Sequence, residues 1–161
     1  VEYVLETLKK DPSNRQCVIN MWNVSELDEM NLVPCAYSSV WSIIAGQLNC
    51  MLVQRSADYP VGVPFDTTQY AILTHLFARH LGVQPGFLTH VMADSHIYEN
   101  QIPGVEKQLD QYQELCKQID RGYEPKLMIS PGVESFWDVK LGDIQIIDYE
   151  PMPAIKYEVA V

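Results

Sequence analysis

The chain has 161 residues, 47% hydrophobic and 20% charged, an ordinary globular composition with enough apolar material for a sizeable core. Its 11 Lys plus Arg stand against 21 Asp plus Glu, a formal net charge of −10, with no three basic residues in a row. That balance excludes a nucleic-acid polymer or an anionic membrane as the main partner, and no apolar stretch approaches the ~18 residues needed to span a bilayer.

Cysteine usage fits a reducing, cytoplasmic setting. Cys17, Cys35, Cys50 and Cys116 form no C-x-x-C pair, and most lie in apolar runs, as buried thiols do. His75, His80, His90 and His96 show no metal-ligand spacing, so no metal is expected. With no repeat, linker or low-complexity tract, residues 1–161 read as a single domain.

In chain order, Val4, Leu5 and Leu8 have helical spacing over residues 1–10, and Asp11-Pro12 supplies the stop. Gln16 to Asn23 alternates as a strand, and a polar link follows over Ser25 to Met30. Tyr37 to Ile44 and Leu48 to Ser56 read as two strands joined in a hairpin by Ala45-Gly46-Gln47. Phe65 to Leu81 is the clearest helix: Tyr70, Leu73, Phe77 and Leu81 share a face, Asp66 and Gln69 suggest an N-terminal capping box, and Gly82 a stop. Phe87 to Met92 is a further strand. Gly104 to Ile119 forms a second helix with Val105, Leu109, Tyr112 and Cys116 as its inner stripe. Lys126 to Ile129, Val139 and Asp143 to Asp148 complete the strands. Without βαβ regularity, this mixture predicts an α+β fold.

Several residues are candidates for chemistry, each with a plain alternative. Cys35 follows a proline in a loop, where a thiolate is a strong nucleophile and a nearby cation or helix terminus activates it; a lone cysteine is otherwise a small buried hydrophobe. Arg15 and Arg55 sit beside strand ends and offer forked donors suited to phosphate, or else pair with surface carboxylates. His96 and Tyr98, two apart, share a side if extended, which suits a sugar hydroxyl or simple packing. Asp66 reads most simply as a helix cap.

Taken in order, these residues carry a resemblance. The run Trp22 to Cys35 (WNVSELDEMNLVPC) resembles the active-site stretch of the thymidylate synthase family. Asp11 to Arg15, Gln54 to Asp58 (QRSAD), Gly62 to Asp66 (GVPFD), Asp94 to Tyr98 (DSHIY) and the tail Glu158 to Val161 match it too, at compatible spacing over essentially the whole chain. The resemblance implies a thymidylate synthase-like α+β fold with a mixed sheet and packed helices. The family fold is considerably longer, so the chain reads as its C-terminal part, with the N-terminal part missing.

The resemblance also implies roles. Cys35 matches the nucleophile that adds to C6 of a pyrimidine nucleoside monophosphate, making C5 able to attack a one-carbon unit from 5,10-methylenetetrahydrofolate. Arg55 and Ser56 match residues that hold the 5′-phosphate. Arg15 matches one lent by the other subunit of a homodimer with shared active sites. His96 and Tyr98 match the ribose-binding pair, Asp58 an acidic residue beside the folate's pterin ring, and Val161 the terminus that closes over the folate. A guanidinium near Cys35 would also favour its thiolate.

Three positions depart from the family pattern. Gln16 stands where a second arginine is usual, and Ala36 where histidine commonly follows the nucleophile. Asp66 replaces an asparagine that donates to uracil O4 and accepts from N3–H. An ionised carboxylate only accepts, so it would repel uracil O4 and suit the C4 amino group of cytosine; the family's dCMP hydroxymethylases show aspartate here. Such a polar mismatch can discriminate by roughly 10⁴ or more. The expected activity is therefore C5 one-carbon transfer to a cytosine nucleotide. The alternatives are a thymidylate synthase acting on dUMP, or a non-catalytic nucleotide-binding fragment.

Overall fold

The computed structural model describes residues 1–120 and 122–158. Contacts divide the chain into two compact units, the first formed by Val1–His96 with Glu134–Phe136 and the second by the remaining described residues.

The first unit is built on a four-stranded mixed sheet. Helix α1 (Glu2–Lys10) buries Val4, Leu5 and Leu8 and stops at Asp11, before Pro12. Strand β1 (Val18–Asn20) is the core of the longer run expected there, and the polar link coils into a short 3₁₀ turn over Val24–Glu29. Strands β2 (Ala36–Ile44) and β3 (Gln47–Asp58) form the hairpin, with Ala45 (φ 51°) and Gly46 (φ 76°) both left-handed. Two such residues match the right-handed twist of the strands.

Helix α2 (Gly62–Leu81) then crosses over to β4 (Gln84–His96), which pairs parallel with β3; the sheet order is β1-β2-β3-β4. One β-α-β unit is thus embedded in an otherwise antiparallel sheet. A parallel pair needs such a crossover, and sequence alternation alone does not announce it. Trp41, Leu48, Cys50 and Leu52 point inward from the hairpin, meeting α1 and the Tyr70 and Phe77 face of α2. Trp41 and Phe77 pack at 4.7 Å between ring centroids, and Phe136 closes edge-on over Phe77 at 4.9 Å.

The start of α2 corrects the capping expectation. The helix begins at Gly62, with Val61 at the cap position, so Asp66 lies one full turn inside it. Pro64 sits in the first turn, where its missing N–H has no intrahelical partner to lose. Asp66 is consequently released from capping.

The second unit contains helix α3 (Ile102–Asp120) and the antiparallel pair β5 (Lys126–Ile129) and β6 (Ile144–Ile147). Val139 is not a strand; it lies between two short 3₁₀ turns, Phe136–Asp138 and Leu141–Asp143. The inner stripe expected on α3 is only half realised: Val105 and Cys116 are half-buried, whereas Leu109 and Tyr112 are 59% and 58% exposed. Helical spacing says which residues share a face and not what covers that face. The C-terminal segment is held to α3 by Gln111 Nε2 donating to the Pro153 carbonyl (2.7 Å) and Tyr157 donating to Gln108 (2.7 Å).

Candidate active site

Burial sorts the four thiols. Cys50 is buried in the core and its thiol is pushed up to about 12, and burial likewise raises Cys17. Neither is a nucleophile near neutral pH. Cys35 is half-buried at the end of the loop that leads into β2. Arg55 of β3 reaches back over that loop. Its Nε donates to the Pro34 carbonyl (3.0 Å) and its Nη2 to the Val33 carbonyl (2.8 Å), with Nη2 lying 3.8 Å from Cys35 Sγ. The backbone adds a further tie, Arg55 N–H to the Cys35 carbonyl at 2.9 Å. Trp22 lies under the guanidinium at 5.8 Å, within cation–π range, and meets Tyr37 edge-on. The remaining Nη1 donors of Arg55 have no partner among the described residues, which leaves one edge of the fork for an anion.

The residue before Arg55 turns the other way, as strand alternation requires. Gln54, 1% exposed, points beneath α2. Its Nε2 donates to Asp66 Oδ2 (2.9 Å) and to the Ser56 carbonyl (2.8 Å), and its Oε1 lies 2.7 Å from His90 Nε2. The other His90 nitrogen, Nδ1, is 3.3 Å from Thr67 Oγ1. Burial holds the His90 imidazole below its ordinary range, with the Asp66 charge pulling in the opposite direction. Asp66, half-buried, therefore has one oxygen tied to Gln54 and no protein donor on Oδ1 among the described residues.

The other expected residues fall as follows. Ser56 is half-buried beside Arg55 on β3. Asp58 ends β3, where its carboxylate accepts from Val61 N–H (3.4 Å). His96 ends β4, with Nδ1 3.4 Å from Asp94 Oδ1. Tyr98 lies just beyond that strand, at the cap of the 3₁₀ turn Glu99–Gln101, with its own backbone still extended. Arg15 is exposed in the loop before β1, and its guanidinium bonds to none of the described residues. Val161 lies outside the described residues. Gln54 and His90 were missed from sequence. Each is a polar residue at an inward position of an apolar alternation, Leu48-Cys50-Leu52-Gln54 and Leu88-His90-Met92, and that was the available signal.

A family model described as thymidylate synthase matches residues 1–161. The chain belongs to the thymidylate synthase family. It is 42% identical over 161 residues to a thymidylate synthase of Clostridium beijerinckii (strain ATCC 51743 / NCIMB 8052), covering all of this chain and 59% of that protein. Among solved structures it is similar to the thermostable thymidylate synthase A from Bacillus subtilis, with a TM-score of 0.87, 32% identity, and coverage of 100% of this chain and 55% of that one. The fold is thus a thymidylate synthase-like α+β fold with a mixed sheet and packed helices. The chain spans little more than half the length of these two relatives.

Proposed function

We propose that this chain carries the nucleophile of a C5 one-carbon transferase that acts on a pyrimidine nucleoside 5′-monophosphate with 5,10-methylenetetrahydrofolate. The observation that carries this reading is the Cys35 thiol with the Arg55 guanidinium 3.8 Å away, in a chain matched along its whole length by the family. Sγ forms a bond to C6, the C5=C6 π pair moves to C5, and C5 attacks the one-carbon unit. Loss of the C5 proton with departure of the folate nitrogen leaves an exocyclic methylene on C5. Water (giving hydroxymethyl) or hydride from the tetrahydrofolate (giving methyl) adds to it, and departure of the thiolate restores the C5=C6 double bond. The folate supplies that carbon at the oxidation level of formaldehyde.

In this reading the free Nη1 edge of Arg55 and the Ser56 hydroxyl bind the 5′-phosphate, and His96 and Tyr98 bind the ribose. The Asp58 carboxylate suits the N–H donors of a pterin ring, and Val161 closes over the folate. The 161 residues serve together as one family domain. Four free thiols suit a reducing, cytoplasmic compartment, and among the described residues no helix is long and apolar enough to cross a membrane.

Asp66 supports cytosine as the base. Freed from capping, it offers an acceptor oxygen where a C4 amino group would donate and uracil O4 would be repelled. Cytosine N3 is itself an acceptor, so one proton shared between base and Asp66 completes the pairing. Release of tritium from C5 of labelled dCMP and dUMP tests this. dCMP should be the faster substrate, and Asp66→Asn should invert the preference; a wild-type preference for dUMP would overturn it. The second reading, thymidylate synthase proper taking dUMP to dTMP, is favoured by the name both relatives carry. Product mass separates methyl from hydroxymethyl transfer.

We propose a homodimer as the working assembly. The sheet face opposite α1 and α2 carries the exposed side chains Val18 and Met51, both paired with Val40 of β2, and Phe87 and Val91, which flank Thr89, the β4 partner of Met51. A second copy would cover this face and could receive Arg15, which has no partner in its own described chain. Sedimentation should give a dimer, and Arg15→Ala should weaken nucleotide binding.

A further inference from the structure

We propose that His90 is a positioning residue for base choice: by donating to Gln54 it fixes the hydrogen-bonding face that Asp66 presents to the substrate. This rests on the reading of Asp66 as the residue that meets the base.

The argument follows the direction of each hydrogen bond. Gln54 is 1% exposed, so every polar atom of its amide must be matched inside the protein. Three groups converge on it: the Asp66 carboxylate, the Ser56 carbonyl and His90 Nε2. The first two only accept, so both must face the amide nitrogen, which carries two hydrogens. The amide oxygen is then left toward His90, at 2.7 Å, and an oxygen there requires His90 Nε2 to carry the hydrogen. His90 Nδ1 is left as an acceptor, and the Thr67 hydroxyl at 3.3 Å donates to it. One chain of donors therefore runs from Thr67 through His90 and Gln54 to Asp66 Oδ2.

The consequence for Asp66 is directional. Gln54 occupies Oδ2, so Oδ1 is the oxygen available to a base. If residue 66 were asparagine, the same Gln54 donor would claim the side-chain oxygen and turn the NH₂ outward. The relay thus makes the identity of residue 66 legible to the substrate, and does so for either base. His90 is the group that holds the relay in one state. Without its donor, the Gln54 oxygen has no partner, and the amide gains a reason to rotate away from Asp66.

The experiment uses His90→Phe and His90→Gln in the purified protein, the second variant keeping a side-chain N–H. Binding of dCMP and dUMP is titrated for each, and KM and kcat are measured where turnover is detectable. His90→Phe should change the dCMP-to-dUMP affinity ratio by tenfold or more, mainly through KM, and His90→Gln should restore most of it. An unchanged ratio in a folded His90→Phe protein would overturn the inference. If His90→Phe does not fold, ¹⁵N imidazole shifts of the wild-type protein decide: a single Nε2–H tautomer supports the relay, and an Nδ1–H or mixed population overturns it. The outcomes remain separable from the base assignment. A wild-type preference for dUMP removes the cytosine reading, while the effect of His90→Phe on the ratio still decides the role of His90.

Discussion

Gln54 and Arg55 are consecutive in β3, yet each organises a different kind of site. Arg55 is a fixed cation that grips two backbone carbonyls and lies beside a thiol. Gln54 is neutral, buried and committed on both sides of its amide, and it hands a carboxylate one donor. The first cluster has a fixed charge beside a thiol and a spare edge. The second is uncharged at its buried centre and ends on a single oxygen, Asp66 Oδ1, with no protein donor among the described residues. Strand alternation lets adjacent residues divide the work this way, because one pleat separates the two environments.

The sharpest break in this comparison is at the thiol. Cys35→Ser should lower turnover by roughly 10⁴-fold or more, since a nucleophile has no substitute within its unit. Nucleotide binding, measured by calorimetry, should survive. Retained turnover would remove the thiol from the mechanism.

Arg55→Lys asks whether charge alone suffices. Lysine keeps the cation and loses the fork, so it cannot serve the Val33 and Pro34 carbonyls together. Losing one charge-assisted bond to a half-buried carbonyl costs about 2 kcal/mol, read from denaturant titration. Alkylation of Cys35 should slow and KM for nucleotide should rise. Unchanged alkylation would mean that the loop holds Cys35 without the fork.

The smallest expected effect is on the pH dependence of stability. Burial holds His90 and His75 below the ordinary imidazole range. The unfolded chain, with imidazoles near 6.5, therefore takes up protons before the folded one does. Stability should be full above that value and fall as pH drops through it toward the folded pKa values. Urea midpoints at pH 7.5, 6.5 and 5.5 check the sign, and replacing both histidines by glutamine should flatten the slope.

Much of the first unit was legible because its signals are local. Val4, Leu5 and Leu8 gave α1, Ala45-Gly46 the hairpin, and Gly82, left-handed at φ 69°, the end of α2. The positions of Cys35, Arg55, Ser56, Asp58, Asp66, His96 and Tyr98 were also readable, through motif order, although their roles stand as proposals. Asp66 was misread locally: a carboxylate followed by Gln69 looks like a cap, and only the extra turn through Pro64 shows that it is not one. On α3 the apolar stripe was visible, but whether Leu109 and Tyr112 were covered was not.

The sequence by itself determined the family, the α+β class, and which residue types stand where the chemistry would need them, because those depend on identity and spacing along the chain. The tertiary structure decided what these residues hold. Gln54 finds Asp66 twelve residues on and His90 thirty-six residues on, only because β3 and β4 are parallel neighbours in a register that pairs Leu52 with His90 and Gln54 with Met92. That register goes with the packing of α2 against β3 and β4, a sum over many contacts that no single stretch of sequence contains.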